Sequence, residues 1–346
     1  MKKVTIQDIA DALGVSRNTV SKAINNSEGL ADATREKILQ KAVEMGYKHF
    51  SYVAMHTRGL GQTAEDAIKA PKSPAMITLL TGNIWAHTNH FAMLMLDRFK
   101  QELVQFGYTL STCFVDSDDI ARGVLPDSFQ KEQTAGIVCI EIFDHAYADM
   151  ICGLGLPTLF VDGPNKRSGY ALCADQLYMD NTTGITQLVN DMLAKGKKKI
   201  GFIGDYEHCQ SFFERYTAYR CAMLLAGVPV NEKYIIKAND NFEGPLRALP
   251  QLPELFICGN DFLAGDVLKA LRKMGKSAPE DVLLSGFDDA PESRIFTPTL
   301  TTVHIHTQVM AYAACSLLLS RIEEPALDYR TMYTETELIY RDSTKI

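Results

Sequence analysis

The chain has 346 residues, of which 46% are hydrophobic and 22% charged; this is ordinary globular composition, and the length suits two or three domains, because single cores seldom grow past about 250–300 residues. The formal net charge of −7 does not by itself point to a nucleic-acid partner. The charge is unevenly spread, however: residues 1–58 hold nine Lys/Arg against six Asp/Glu, and the remainder holds 26 against 36. A basic end on an acidic body suits DNA, since phosphate neutralisation needs only local positive charge.

The first predicted elements are short helices. Thr5, with Asp8 three residues on, makes a capping-box pattern ahead of Ile6, Ile9, Ala10 and Leu13 at helical spacing. Gly14 ends this helix, where a left-handed turn is needed. Ser16 caps a second helix, RNTVSKAI, with Val20, Ala23 and Ile24 on its apolar face. Asp32 starts a third, ATREKILQKAVEMG, with Ile38, Leu39, Ala42 and Val43 inward and Gly46 as its stop. Two short helices about a glycine turn form a helix-turn-helix. The second helix leaves Arg17, Asn18, Thr19, Ser21, Lys22 and Asn25 exposed. Arg and Lys donate to guanine O6 and N7, Asn bridges adenine N6 and N7, and hydroxyls suit phosphate oxygens. The bland alternative is a solvated face on a structural helix bundle.

VTIQDIADALGVSRNTVSKAINN, followed by TREKILQKAVEMGY, closely resembles the headpiece of the lactose/galactose repressor (LacI/GalR) family. The resemblance implies a second helix lying in the major groove. It assigns base reading to Arg17, Asn18 and Lys22, and backbone contacts to Thr5, Ser16, Thr19, Ser21 and Asn25. After Tyr47 the chain departs from the pattern. The family follows with a Pro-Asn turn and a hinge helix whose leucine wedges into the minor groove. Here His49 and Phe50 replace Pro-Asn, and His56 or, shifted by one, Met55 stands at the leucine position. Met55 is the side chain of the two that suits an apolar wedge.

Residues 59–74, GLGQTAEDAIKAPKSP, read as a linker. Strands and helices then alternate. The apolar runs MITLLTG, YTLSTCFV, AGIVCIEIF, PTLFVDG, KIGFIGD, ELFICGND and VLLSGFDD read as buried parallel strands, with helices such as FAMLMLDRFKQELVQFG, TTGITQLVNDMLAKG and DFLAGDVLKALRKMG between them. The expected fold class is therefore α/β, with a small all-α headpiece on residues 1–58 and a core on 75–346. Polar residues follow the strands directly: Asn83, His87 and Asn89, then Asp162, Asp205, Asn260, Asp261, Asp288 and Asp289. Ligands of open α/β sheets bind at these carboxyl ends; capping of the next helix is the alternative for each residue singly.

MDNTTGITQLVNDMLAKGKKKIGFIGD, FICGNDFLAGDVLKALRKMG, LSGFDDAPESRIFTPTLTTV and TELIYRDST carry a looser resemblance to the same family. It implies a periplasmic-binding-protein-like core of two lobes, about 75–174 with 305–333 and about 175–304 with 334–346, closing on a small molecule. It places the ligand contacts at Asp162, Arg215, Asn260 and Asp288, with Asn89 and Phe91 of NHFAML beside them. The late polar contact of the family falls near His304 and Ile305. Trp85 reads as core packing or a sugar platform. An Arg, two carboxylates and an Asn bracket sugar hydroxyls, or those of a nucleoside or polyol.

No nucleophile elbow, zinc-protease or phosphate-loop motif is present, so the chain is read as no enzyme. His304 and His306 could share a strand face as metal ligands or simply line the lobe junction; no metal and no cofactor is expected. The cysteines, at 113, 139, 152, 173, 209, 221, 258 and 315, stand singly and read as small buried hydrophobes in a reducing cytoplasm. No apolar run is long enough for a membrane span, and the N-terminus lacks a signal peptide. The reading is a cytoplasmic, homodimeric repressor of operator DNA, relieved by a sugar. No C-terminal heptad tail calls for four chains. The alternatives are a regulator whose core answers to a protein partner and a sugar-binding protein without regulation.

Overall fold

The structure is a computed structural model that describes residues 5–24, 30–31, 34–35, 37–38, 41–42, 45, 75–82, 90–166, 169–237 and 241–345. It divides into two units, Met1–Pro71 and Lys72–Ile346. The expected linker lies outside the described residues.

In the first unit, α1 (Ile6–Leu13) starts with the full capping box. The Asp8 amide donates to Thr5 Oγ1 at 3.2 Å, and the Thr5 amide donates to Asp8 Oδ2 at 2.7 Å. These two bonds satisfy donors that a helix start otherwise leaves open. Gly14 ends α1 at a φ of 65°, a left-handed turn that glycine adopts without penalty. Ser16 Oγ accepts the Thr19 amide at 3.0 Å and so caps α2 (Arg17–Ile24). Ile9, Ala10, Val20 and Ala23 pack with Ile38 and Ala42 of a third helical stretch into a small apolar cluster.

The second unit begins with β1 (Met76–Thr81), α3 (His90–Gln105), β2 (Thr109–Phe114), α4 (Ser117–Arg122), β3 (Thr134–Ile140), α5 (His145–Cys152), β4 (Thr158–Val161) and β5 (Asp175–Met179). It continues with α6 (Thr183–Ala194), β6 (Ile200–Ile203), α7 (Gln210–Leu225), β7 (Ile235–Ile236), α8 (Glu243–Arg247), β8 (Leu255–Cys258), α9 (Asp261–Lys273) and β9 (Leu283–Ser285). It closes with β10 (Thr302–Ile305), α10 (Thr307–Glu323), β11 (Thr331–Thr334) and β12 (Thr336–Ile339). Two parallel sheets result, β11-β5-β4-β3-β1-β2 and β7-β6-β8-β9, with β10 and β12 as an antiparallel pair. Each sheet is one lobe, and the chain crosses between them near 180–182, 305–307 and 334–336.

All seven strands read from the sequence are present. Alternate residues of β3 and β4 serve opposite faces: Val138, Ile140, Leu159 and Val161 enter one cluster, while Ile137, Cys139 and Phe160 pack with Tyr147 and Ile151 of α5. Burial on both faces is why these runs look continuously apolar. The first lobe boundary needs correction. The sequence places 175–179 at the head of the second lobe, yet β5 pairs with β4 and β11 in the six-stranded sheet. The reason is electrostatic as well as steric. Asp175, fully buried, takes two bonds from Arg321, both at 3.0 Å, and one from Arg330 Nη2 at 2.7 Å, which ties β5 to α10 and β11.

Candidate functional site

On α2, Arg17, Asn18 and Lys22 are exposed, Thr19 and Ser21 half-buried, and Val20 and Ala23 buried. The helix thus separates a polar outer face from the apolar one that holds it. Ser16 and Thr5 spend their hydroxyls within the caps: Thr5 Oγ1 donates to Asp8 Oδ2 at 2.6 Å, and Ser16 Oγ lies 2.7 Å from Thr19 Oγ1. Asn25 and Met55 lie outside the described residues.

In the second unit, the strands of both lobes deliver acids at their carboxyl ends. Glu141 follows β3, Asp162 follows β4, and Asp288 and Asp289 stand three and four residues past β9. All four hold positive φ angles, of 60°, 51°, 112° and 52°, a conformation that costs a non-glycine residue about 1–3 kcal/mol and persists where the surroundings enforce it.

Arg215, on α7, is the hub. Its side chain is buried, its Nε donates to Asn181 Oδ1 at 2.9 Å and its Nη1 donates to the Gly259 carbonyl at 2.7 Å. The guanidinium stacks on Phe287, 3.5 Å from the ring centroid. Asn181 is held in turn, donating to Glu214 Oε2 at 2.8 Å. So fixed, Arg215 reaches Asp288 Oδ1 at 3.8 Å, an ion pair beyond hydrogen-bond range. Asp162 accepts the Ser211 amide at 3.3 Å. Burial pushes Asp162 up to about 6 and Asp288 up to about 7, with Arg215 pulling both the other way. Glycine is required beside this hub: a Cβ on Gly259 would lie 2.8 Å from the Phe212 ring.

The neighbouring acids are spent on structure. Asp289, despite its burial, is held well below the usual carboxylate range by hydrogen bonds from His304, Arg294 and Arg341. Asp261 accepts the Thr302 hydroxyl at 2.6 Å and the Ala290 amide at 2.8 Å, fixing the loop that presents Asp288. Asn260 Oδ1 accepts the Leu263 amide at 2.9 Å, so this residue caps α9 as well as facing the strand ends. His304 and His306 meet edge to face at 5.0 Å, and no group of three metal-binding side chains occurs among the described residues.

The lobes meet beside Arg215. Asn165 Nδ2 donates to the Tyr206 carbonyl at 3.0 Å, the Gln210 amide donates to the Gly163 carbonyl at 3.2 Å, and Phe143 packs on His208 at 4.7 Å. Of the residues singled out from sequence, Asp162, Arg215 and Asp288 come together. Trp85 and Asn89 lie outside the described residues, and Phe91 is described only through the backbone of α3. Sequence reasoning missed Glu141, Asn181 and Phe287. An acid straight after the apolar run AGIVCI was the available signal for Glu141. Asn181 and Phe287 sit in runs read only as patterns.

A helix-turn-helix unit and a two-lobed parallel-sheet unit with polar strand ends, in one chain, define a DNA-binding transcription regulator. Residues 5–49 match the family described as bacterial regulatory proteins of the lacI family, and residues 189–344 match a periplasmic binding protein-like domain. The HTH-type transcriptional repressor PurR of Photobacterium profundum is 24% identical over 99% of this chain and 98% of its own length. The probable repressor ExuR of Bacillus subtilis is 25% identical over 99% and 98%. Among solved structures, the transcriptional regulator CelR–cellobiose complex superposes with a TM-score of 0.68 at 21% identity, covering 99% of this chain and 100% of that one. The lac repressor dimer bound to operator superposes at 0.66 and 18%, covering 99% of each. Residues 5–49 thus match the lacI family and residues 189–344 a periplasmic binding protein-like domain, and the whole-length relatives named above are described as transcriptional repressors. No helix among the described residues is long and apolar enough to cross a membrane.

Proposed function

We propose that this chain is a cytoplasmic homodimeric repressor whose operator affinity falls when a small polyhydroxy effector, a sugar, binds between the core lobes. The observation that carries the effector half is the strand-end group of Arg215 and Asp162, both buried, and the largely covered Asp288, which together are incompletely bonded. Such a group offers acceptors and a fixed cation to hydroxyls. Asn260 lends its free amide, and Trp85, Asn89 and Phe91 complete the wall. In the headpiece, Arg17, Asn18 and Lys22 read base edges in the major groove, while Thr5, Ser16, Thr19, Ser21 and Asn25 hold phosphates and Met55 enters the minor groove.

Two headpieces in a dimer would span successive major grooves, about one helical turn apart, on a near-palindromic site. Coupling is reciprocal, so operator DNA weakens the effector by the factor by which effector weakens DNA. Selection of bound duplexes from a random pool at near-physiological salt tests the DNA half. Recovery of one palindromic site is expected, and the same duplex then serves to screen sugars for release. Recovery of no preferred sequence would overturn it.

A further inference from the structure

We propose that Glu214 is a positioning residue for the effector: through Asn181 it sets the attitude of the Arg215 guanidinium, and through Tyr333 it ties that setting to the first lobe. This deepens the effector reading above and rests on it.

Glu214 and Arg215 are successive residues of α7, so their side chains diverge by about 100° and do not face each other. They meet through Asn181, at a crossing between the lobes. Asn181 is fully buried, and its amide has two ends of nearly the same shape. Chemistry decides which end faces Arg215. The Arg215 Nε only donates, and it donates to Asn181 Oδ1 at 2.9 Å. The Nδ2 end then donates to Ser211 Oγ at 3.2 Å and to Glu214 Oε2 at 2.8 Å. A hydroxyl can donate or accept, whereas a carboxylate only accepts. Glu214 therefore holds the amide the way round that Arg215 requires, and its charge makes this the stronger of the two bonds. With Nε on Asn181 and Nη1 on the Gly259 carbonyl, Nη2 is the guanidinium nitrogen left without a hydrogen-bond partner among the described residues. Its direction follows from the other two.

Glu214 also gathers both lobes. Its Oε1 accepts Gln210 Nε2 of α7 at 2.9 Å and the Tyr333 hydroxyl of β11 at 2.7 Å. β11 belongs to the six-stranded sheet, and α7 follows β6 in the other lobe. Burial, and then the bond to Glu214, push the Tyr333 hydroxyl up, which keeps it protonated and donating. Its ring stacks on Tyr178 at 5.4 Å, so the donor comes from a fixed point of the first lobe. A relay of four side chains thus runs from the first lobe to the cation of the cleft: Tyr333, Glu214, Asn181 and Arg215. Lobe movement that draws Tyr333 from Glu214 loosens Arg215. By reciprocity, an effector that fixes Arg215 favours the arrangement in which the relay is whole.

The test reads Arg215 directly, as hydrogen exchange of its Nε–H in the ligand-free full chain, followed by nuclear magnetic resonance with labelled arginine. E214A should speed this exchange about tenfold, the factor for loss of one hydrogen bond, and Y333F about threefold. E214Q, which keeps an oxygen for Asn181, should stay close to wild type. Backbone amides of α7 are the reference, because a merely structural loss would speed them equally. Unchanged Arg215 exchange in E214A, or a matching rise across the α7 amides, overturns the proposal. Binding of glucose, galactose, ribose and cellobiose, followed by thermal melting, is the second arm. Whichever binds should be weakened about tenfold by E214A and further by R215A. Loss in R215A without loss in E214A overturns the positioning role. Equal binding by wild type and R215A means that the effector reading has failed; the exchange result then judges the relay by itself, as it does where none of the four binds.

Discussion

Asp175, buried inside the six-stranded sheet, and Asp288, largely covered past the last strand of the four-stranded one, are both acids that face arginine. Asp175 accepts paired bonds from Arg321 and Arg330 and the Arg330 amide at 2.7 Å, and these bonds overcome burial to lower its carboxyl. Asp288 has one arginine at 3.8 Å and is pushed up to about 7. The first acid is complete without any ligand and ties three elements together. The second is incomplete, and its Arg215 is fixed by other groups. A buried charge is costly to strand but tolerable when its partner is pending and a proton can neutralise it. Saturation of bonding, more than burial or residue type, therefore separates the structural aspartates, Asp175 and Asp289, from Asp288, the one proposed to meet the effector.

Five substitutions, one of them followed through a titration, sharpen this contrast. D175A should have the largest effect, since it leaves the buried Arg321 and half-buried Arg330 without their counter-ion; a loss of about 3–5 kcal/mol is expected in urea unfolding. A small loss would show that the clamp is ornamental. R215A should unfold less readily than D175A, because Asp162 and Asp288 can each take up a proton. It should cost about 2–5 kcal/mol in effector binding, read by calorimetry, with operator affinity intact. Joint loss of both activities would break the proposed division of labour.

D288N tests the titration. A carboxyl whose folded pKa is raised from 3.8 to about 7 binds its proton more tightly in the folded state. Its stabilisation is full below about pH 4 and is lost as pH rises to about 7. Melts of wild type relative to D288N should therefore worsen from pH 4 to pH 8, on the order of 3 kcal/mol. A flat difference would mean that Asp288 is ionised throughout. K22A should cost about 1–3 kcal/mol of operator affinity and relax preference at one base pair; a uniform loss on every sequence would instead assign Lys22 to phosphate. T5A should be mildest, at about 1 kcal/mol of headpiece stability from the lost cap. A larger fall in operator affinity than in stability would assign Thr5 a phosphate contact as well.

The two halves of the chain were unequally legible. The headpiece is local: the Thr5–Asp8 box, the Gly14 turn and the Ser16 cap are fixed by residues three or four apart, so α1 and α2 could be read directly. The core strands were legible because burial on both faces leaves seven apolar runs. α7 and α10 were not. Gln210, Ser211, Arg215 and Tyr219 are all buried on α7, so no clean apolar stripe marks it. β5 also escaped, because the ionic clamp that makes Asp175 a core residue comes from Arg321 and Arg330, about 150 positions away.

The sequence by itself determined the helix-turn-helix, the α/β alternation and the acids at the strand ends, since each depends on short-range spacing and hydrophobic patterning. Only the tertiary structure decided which acids were spent and which were left over. Asp289 and Asp288 are adjacent in the chain, yet among the described residues two arginines and the His304 ring converge on the first and one more distant guanidinium on the second. That distinction, and the alignment of Glu141 with Asp162, arises from strands and helices meeting across long sequence separations, where the balance of desolvation and pairing is settled.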